Sequence, residues 1–335
     1  MKIALIVPFA NITYSGGVTV QGRMWKEGLE RLGHQVDLIN NWDRYEWNTY
    51  DFIIFLGFGK LLLDFLKDFG GFPHPIVLCA PIIDYNGSMR SFILRSRYYG
   101  SIKLRWYKQY HDLYYSRYKF RYFLVRSKFE QRFITKGFGM DEKFTRIVPI
   151  SYRIEDKPTI DFSKKENFVF HCSRLSDGGK NVERLIAAAI KYGFKLVLAG
   201  TVPDAKKPWL EGLIAGHDNI KYVGWVTDEQ LYDYYRRAKV FALPSLVEGV
   251  GMVALEAAVY GCEIVLTNLG APKEYWNGQA VLVDPYSVDS IGKGVLEALE
   301  HKNAQPQLQK YIIDNYSMEA CTKKLEQCLL DTLRS

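Results

Sequence analysis

Ser245-Leu-Val-Glu248-Gly249-Val250-Gly251-Met-Val-Ala-Leu-Glu256-Ala-Ala-Val-Tyr-Gly261 follows an apolar strand that ends at Leu243. It reads as a turn carrying Gly249 and Gly251 and then, at once, a helix. Glycines at a helix start let a ligand approach backbone N–H groups, and the helix dipole there favours phosphate. The two carboxylates stand eight positions apart, one before the helix and one about two turns into it. Both are placed to accept hydrogen bonds from sugar hydroxyls. A glycine turn beside an ordinary surface glutamate is the plainer reading of the same residues.

Outward from this turn, apolar strand-like runs alternate with amphipathic stretches. Strands are expected at 168–171, 195–199, 220–223, 240–242, 263–266 and 280–283, and helices near 181–192, 228–237, 251–260 and 288–300. The first 150 residues repeat the pattern, with strands at 3–7, 35–39, 52–56, 76–79, 123–125 and 146–148 and helices at 18–32, 60–69 and 128–136. Short, continuously apolar strands alternating with helices indicate parallel sheets covered on both faces. The expected fold is therefore α/β with two doubly wound domains, and the expected ligand site is the cleft between them, at the strands' carboxyl ends. The domains are drawn at 1–155 and 156–315, with a polar, proline-containing linker around 151–165. A last helix at 318–333, within 316–335, has Ala320, Leu325, Cys328, Leu329 and Leu333 on a helical repeat and can pack on either domain.

Composition narrows the class. The chain has 335 residues, long enough for two cores, and 48% are hydrophobic, which excludes a disordered polymer. The densest apolar stretch, 52–66, is broken by Gly57, Gly59, Lys60 and Asp64, short of the ~18 apolar residues a membrane span needs. The N-terminal Met1-Lys-Ile-Ala-Leu-Ile-Val-Pro8 reads as a buried first strand rather than a signal peptide, because Pro8 stops it without a small-residue cleavage site. Five scattered cysteines with no Cys-x-x-Cys pair point to reduced thiols in a cytosolic protein.

The net charge of +7 is unevenly spread. Residues 90–128 hold eleven Lys/Arg against Asp112 alone, while the remainder of the chain sums to −3. Positive charge this local points to an anion or an anionic surface as partner.

The stretch 245–261 resembles the Glu-x7-Glu signature of retaining GT-B glycosyltransferases, especially glycosyltransferase family 4. The family pattern Ser-x-x-Glu-Gly-Phe-Gly-x-x-x-x-Glu-Ala fits with Val250 in place of Phe. Gly261-Cys-Glu-Ile-Val, Gly270-Ala-Pro-Lys-Glu274 and Ala280-Val-Leu-Val-Asp-Pro285 are similar to the family's next three fragments, in the same order. The resemblance implies two Rossmann-like domains in a GT-B architecture. It further implies that Glu256 holds the nucleotide ribose and Glu248 a hydroxyl of the transferred sugar, with the backbone of Gly249, Val250 and Gly251 facing sugar and diphosphate. His171-Cys-Ser-Arg174-Leu-Ser-Asp-Gly-Gly-Lys180-Asn resembles the family segment whose Arg and Lys grip the diphosphate, with one extra residue between them. Two cations there neutralise charge on a departing diphosphate. His171 reads as a satisfied strand-end histidine. Ser15-Gly16-Gly17-Val18 stands where the family keeps a Gly-Gly loop beside diphosphate and acceptor. The family's frequent donor-contacting His after the fourth strand is missing; Asp84, in Cys79-Ala-Pro-Ile-Ile-Asp84, is the candidate for that acceptor or sugar side.

Arg174, Lys180 and Glu248 are thus the catalytic candidates of a retaining transferase using a UDP- or GDP-linked sugar. The absence of any Asp-x-Asp gives no indication of a metal, and no cofactor is expected. The acceptor implied by the resemblance is a glycan or lipid-linked glycan of the bacterial envelope, reached from the cytoplasmic side of the membrane. Aromatic residues interleave the basic segment 90–128, a combination suited to an anionic membrane surface. Helices with solvated cations are the alternative there, and nucleic acid is set aside because of the neighbouring transferase signature. A sugar-nucleotide epimerase or phosphorylase on the same architecture, or a non-catalytic partner subunit, are the competing functions.

Overall fold

Short, uninterrupted apolar strands become the inner strands of two parallel sheets, each described here by itself. The computed structural model describes residues 1–7, 17–40, 42–58, 60–69, 74–101, 103–104, 106–154, 157–276, 278–301 and 304–334, without the side chains of 60–62 and 68–69. Met1–Arg153 and Met318–Ser335 make one compact unit and Ile154–Ser317 the other, two residues before and two after the divisions drawn from sequence.

In the first unit β1 (Lys2–Ile6), β2 (Gln35–Leu38), β3 (Phe52–Leu56), β4 (Ile76–Ala80), β5 (Tyr122–Val125) and β6 (Thr145–Ile147) lie in the order β2-β1-β3-β4-β5-β6, all pairs parallel. The two-residue period of a strand sends alternate side chains into different cores. Ile3, Leu5, Ile54 and Leu124 join one; Ala4, Ile6, Ile53 and Phe123 join the other. α1 (Gly17–Arg31) covers the first core with Trp25 and Leu29. α2 (Lys60–Phe69), α3 (Met89–Tyr98), α4 (Gln109–Ser116) and α5 (Lys128–Arg132) follow. The sequence missed α3 and α4 because their aromatics fall on both faces: Phe92 is buried while Tyr98 and Tyr115 are exposed. The expected helix at 128–136 closes as a π-helical turn, Phe133–Gly137.

The second unit contains β7 (Glu166–Cys172), α6 (Val182–Tyr192), β8 (Leu196–Ala199), α7 (Lys207–Ile214), β9 (Ile220–Tyr222), α8 (Asp228–Arg237), β10 (Ala238–Leu243) and α9 (Met252–Val259). It continues with β11 (Glu263–Thr267), β12 (Val281–Val283), α10 (Val288–Glu300) and α11 (Gln307–Tyr316). The strands order as β12-β11-β10-β7-β8-β9, again all parallel. α7 was not among the helices expected from sequence; its Pro208 stands in the first turn, where the missing N–H costs nothing.

α12 (Met318–Arg334) belongs to the first unit. Its Leu325 and Leu329 enter the core of Trp25 and Leu29, and a Cβ on Gly28 would meet Thr322 Oγ1 at 2.2 Å. Only glycine permits that approach of α1 to α12. The expected linker at 151–165 has anchored residues among those described. Ile154 is buried, and Lys165 Nζ donates to the carbonyls of Tyr235, Ala238 and Tyr260 at 2.8, 3.0 and 2.7 Å. A cation there answers the last carbonyls of α8 and α9.

Candidate functional site

In the second sheet the chain steps outward from β7 to β9 on one side and from β10 to β12 on the other, so its order reverses between the neighbours β7 and β10. Loops leaving the carboxyl ends of two such strands part in opposite directions and open a crevice. Residues 173–181 follow β7 and carry Arg174 and Lys180; residues 244–251 follow β10 and carry Glu248, Gly249, Val250 and Gly251.

The two loops are stitched together. Lys180 Nζ lies 2.7 Å from Glu248 Oε2, and Ser245 Oγ donates to the same oxygen at 3.2 Å. The amides of Leu246 and Val247 donate to the Gly179 carbonyl at 2.8 and 3.3 Å. Beneath them Asn181 is buried with φ 60° and gives its amide to the carbonyls of Pro244 and Pro285 at 2.8 and 2.7 Å, joining the loops after β7, β10 and β12. Positive φ favours Gly or Asn, and only Asn adds the two donors. The sequence showed Asn181 after Lys180 but not this buckle.

Gly251 caps α9 with φ 79°, and Val250 before it is buried. Glu256 is the fifth residue of α9, a little over one turn in rather than the expected two, because the helix begins at Met252 and not at the glycines. It is wholly buried, 0% exposed, while Glu248 keeps part of its carboxylate open. Gly270 brings the loop after β11 under the same turn: a Cβ there would sit 3.5 Å from the Glu248 carbonyl.

His171, next to last in β7, is fully buried. Its Nδ1 donates to the Ala242 carbonyl at 2.8 Å, and Nε2 meets Ser173 Oγ at 2.7 Å. Burial pushes the imidazole down to about 4, so it is neutral and Nε2 accepts from the serine. His171 is a strut between β7 and β10. Arg174 is loosely held, its side chain 74% exposed and, among the described residues, in contact with Asp177 alone, at 3.2 Å. On the α6 side of the same loop a cavity of about 490 Å³ is lined by Asp177, Gly178, Asn181, Arg184, Lys206 and Trp209.

In the first unit Gly16 lies outside the described residues, and Gly17 is the exposed first residue of α1. Asp84, after β4, is held by Arg126, NH2 to Oδ1 2.7 Å, and Arg126 in turn by the buried Glu130. Sequence reasoning named Asp84 but gave no sign of Arg126 or Glu130, which are ordinary residues in a charged segment until the fold brings β5 beside β4. Among the described residues no helix is long and apolar enough to cross a membrane.

Residues 153–316 match the family model of the glycosyl transferases group 1. Over 163 residues the chain is 33% identical to a GDP-mannose-dependent alpha-(1-6)-phosphatidylinositol monomannoside mannosyltransferase of Mycobacterium tuberculosis, covering 44% of this chain and 40% of that protein. Over 81 residues it is 36% identical to O-antigen chain mannosyltransferase B of Escherichia coli, 24% of this chain and 21% of that one. The chain thus spans less than half the length of these curated relatives. A sucrose-phosphate synthase from Thermosynechococcus elongatus has the same fold, with TM-score 0.75 at 16% identity over 100% of both chains. So has Anabaena HepE, solved in complex with UDP and glucose, at TM-score 0.71 and 14% identity over 99% of this chain and 100% of that one.

Proposed function

We propose, from the premise that residues 153–316 form a glycosyl transferases group 1 domain in a chain of GT-B fold, that the protein is a retaining glycosyltransferase. Its donor is a nucleotide-diphosphate sugar, UDP- or GDP-linked, and its acceptor a glycan or lipid-linked glycan of the bacterial envelope. The observation that carries this reading is the meeting of Lys180 with Glu248 across the β7/β10 switch point, at the mouth of α9. One cation and one carboxylate from different loops meet there, the pair of groups that a diphosphate and a sugar hydroxyl call for. The acceptor hydroxyl attacks the anomeric carbon from the side of the leaving group, the bond to the phosphate oxygen breaks, and that oxygen takes the proton. Arg174, Lys180 and the amides at the start of α9 stabilise the departing diphosphate.

The test is transfer or slow hydrolysis of radiolabelled donors, with thermal shift across nucleotide diphosphates as a binding readout. GDP-mannose is the first donor to try, because two relatives are named as mannosyltransferases; UDP-glucose is the second, after the ligands in the HepE structure. Activity is expected to survive excess EDTA. Complete loss restored by manganese or magnesium would mean that a metal bridges the phosphates. A protein that binds no nucleotide and consumes no donor is not a transferase.

Glu248→Gln should reduce turnover while leaving free nucleotide affinity nearly unchanged, because the carboxylate is assigned to the sugar. The amide keeps the shape but no longer balances Lys180 as an anion. Nucleotide-diphosphate affinity falling as far as in a Glu256 variant would exchange the two roles.

The segment 90–128 adds a membrane surface to the proposal. Tyr98, Leu104 and Tyr118 are 73%, 81% and 72% exposed, among Arg95, Arg97, Lys103 and Lys108. Such a face suits the cytoplasmic leaflet, with rings at headgroup depth and cations on anionic lipid. The protein is expected to bind vesicles containing anionic lipid in a salt-sensitive way and to bind neutral vesicles little. Changing Arg95, Arg97, Lys103 and Arg105 to Gln (Arg105 lies outside the described residues) should weaken that binding without changing nucleotide affinity. Indifference of the unaltered protein to anionic vesicles at low salt would remove the membrane from the reading.

A further inference from the structure

The cavity of about 490 Å³ beside the loop 173–181 is a separate place from the meeting of Lys180 with Glu248. None of Arg174, Lys180 and Glu248 lines it. Its volume falls within the ~300–1,000 Å³ usual for small-molecule sites. Leu175 and Val182, both buried, give it apolar lining. Trp209, in the first turn of α7, gives it a ring whose Nε1 is fixed by donating to Glu183 Oε1 at 2.9 Å.

Asp177, Glu183, Arg184 and Lys206 also line this cavity, and they are not answered alike. The carboxylates are engaged. Asp177 accepts from the Gly179 amide at 2.9 Å and from Arg174 at 3.2 Å, and Glu183 takes the indole N–H. The cations meet neutral groups instead. Arg184 NH1 donates to Asn181 Oδ1 at 2.9 Å, with the Tyr286 ring 5.9 Å away, and Lys206 Nζ donates to the Ser176 carbonyl at 3.3 Å. Among the described residues neither cation forms an ion pair, whereas the neighbouring Lys207 pairs with Asp204 at 2.7 Å. A guanidinium has five N–H donors and an ammonium three, so both keep donors to spare. Two such cations beside an indole and apolar side chains suit a phosphate carried on a ring. The cations take the phosphate oxygens in charge-assisted hydrogen bonds, and the indole covers the ring.

We infer that this cavity binds a phosphate monoester of a sugar or nucleoside, and that its occupant is coupled to the donor crevice. The coupling follows from shared walls. Leu246, whose amide donates to the Gly179 carbonyl, lines the cavity from the loop after β10. Arg184 holds the same Asn181 that joins the loops after β7, β10 and β12. An occupant that draws Arg184 and Lys206 together therefore bears on both loops that carry Lys180 and Glu248. It holds them in one arrangement and is expected to tighten nucleotide binding roughly 5-fold, with the same gain for the ester when nucleotide is bound. The binding site stands on its own observations; the coupling rests on the glycosyltransferase reading above.

The test is calorimetric titration of mannose 6-phosphate, GMP and inorganic phosphate into protein already saturated with GDP, so that the crevice is filled. One equivalent of an ester is expected to bind, more tightly than inorganic phosphate, and the ester that binds identifies the source as sugar or nucleoside. Lys206→Glu and Arg184→Gln should each weaken it roughly 10-fold or more, the usual loss of a charged hydrogen-bond partner. Lys206 is exposed, and Gln at 184 keeps an N–H donor, so melting temperature and GDP affinity without ester should stay unchanged. No binding of any of the three at millimolar concentration, or ester binding that neither variant weakens, overturns the site. Inorganic phosphate bound as tightly as the esters overturns the assignment to an ester. Equal GDP affinity with and without bound ester overturns the coupling. If the unaltered protein binds neither GDP nor UDP, the transferase reading fails, and the same titrations on the free protein still decide the cavity.

Discussion

Arg174→Ala is expected to lower turnover by about 10²–10³-fold, the usual loss when one donor to a developing anion is removed. Donor affinity should fall much less. Negative charge on the diphosphate grows as the glycosidic bond breaks, so a cation that meets it helps the transition state more than the ground state. The structure sharpens this expectation in one respect. Arg174 is exposed and, among the described residues, held only by Asp177 at 3.2 Å, so removing it disturbs no core, and a folding defect will not imitate the effect. Lys180, by contrast, is already engaged with Glu248 and joins two loops, so its variants mix structural and chemical losses. Steady-state kinetics with the donor varied decides the matter. A normal turnover number with only a raised Michaelis constant would make Arg174 a binding residue that does no more in the transition state than in the complex.

Glu256→Gln should weaken nucleotide-diphosphate binding roughly 10- to 100-fold, since a ribose hydroxyl would lose a charged acceptor worth about 1.5–3 kcal/mol. Gln is preferred to Ala because Glu256 is fully buried, where truncation would also open a cavity. That burial sets a condition on the ribose assignment: the atoms covering the carboxylate must shift when the nucleotide enters. Calorimetric titration of the variant and the unaltered protein with UDP and GDP gives the comparison. Equal affinities would mean that the carboxylate stays enclosed and supports α9 instead of a ligand.

Much of this was legible in the sequence because it depends on local periodicity. A strand such as Phe52–Leu56, apolar at every position and bounded by Asp51 and Gly57, has few places to go except the middle of a sheet covered on both faces. The glycines at 249 and 251 mark a turn, and Gly251 takes the φ of 79° that disfavours a side chain. α3 and α4 were missed because their aromatic residues satisfy both a buried and an exposed face. Period alone cannot resolve that ambiguity.

The sequence by itself determined the two strand–helix alternations, the helix-start glycine turn with its two carboxylates, and the concentration of positive charge in 90–128. Each of these is a property of neighbours in the chain. Tertiary structure decided which of the candidate residues meet. Lys180 and Glu248 are 68 positions apart and touch because β7 and β10 are adjacent in the sheet; Asp84 and Arg126, 42 apart, touch because β4 and β5 are. Strand order also put α12 against α1 rather than against the unit that precedes it in sequence, and buried Glu256 while leaving Glu248 open. The reason is physical: pairing order is set by how both faces of each sheet are covered at once, and that is a sum over residues far apart in the chain.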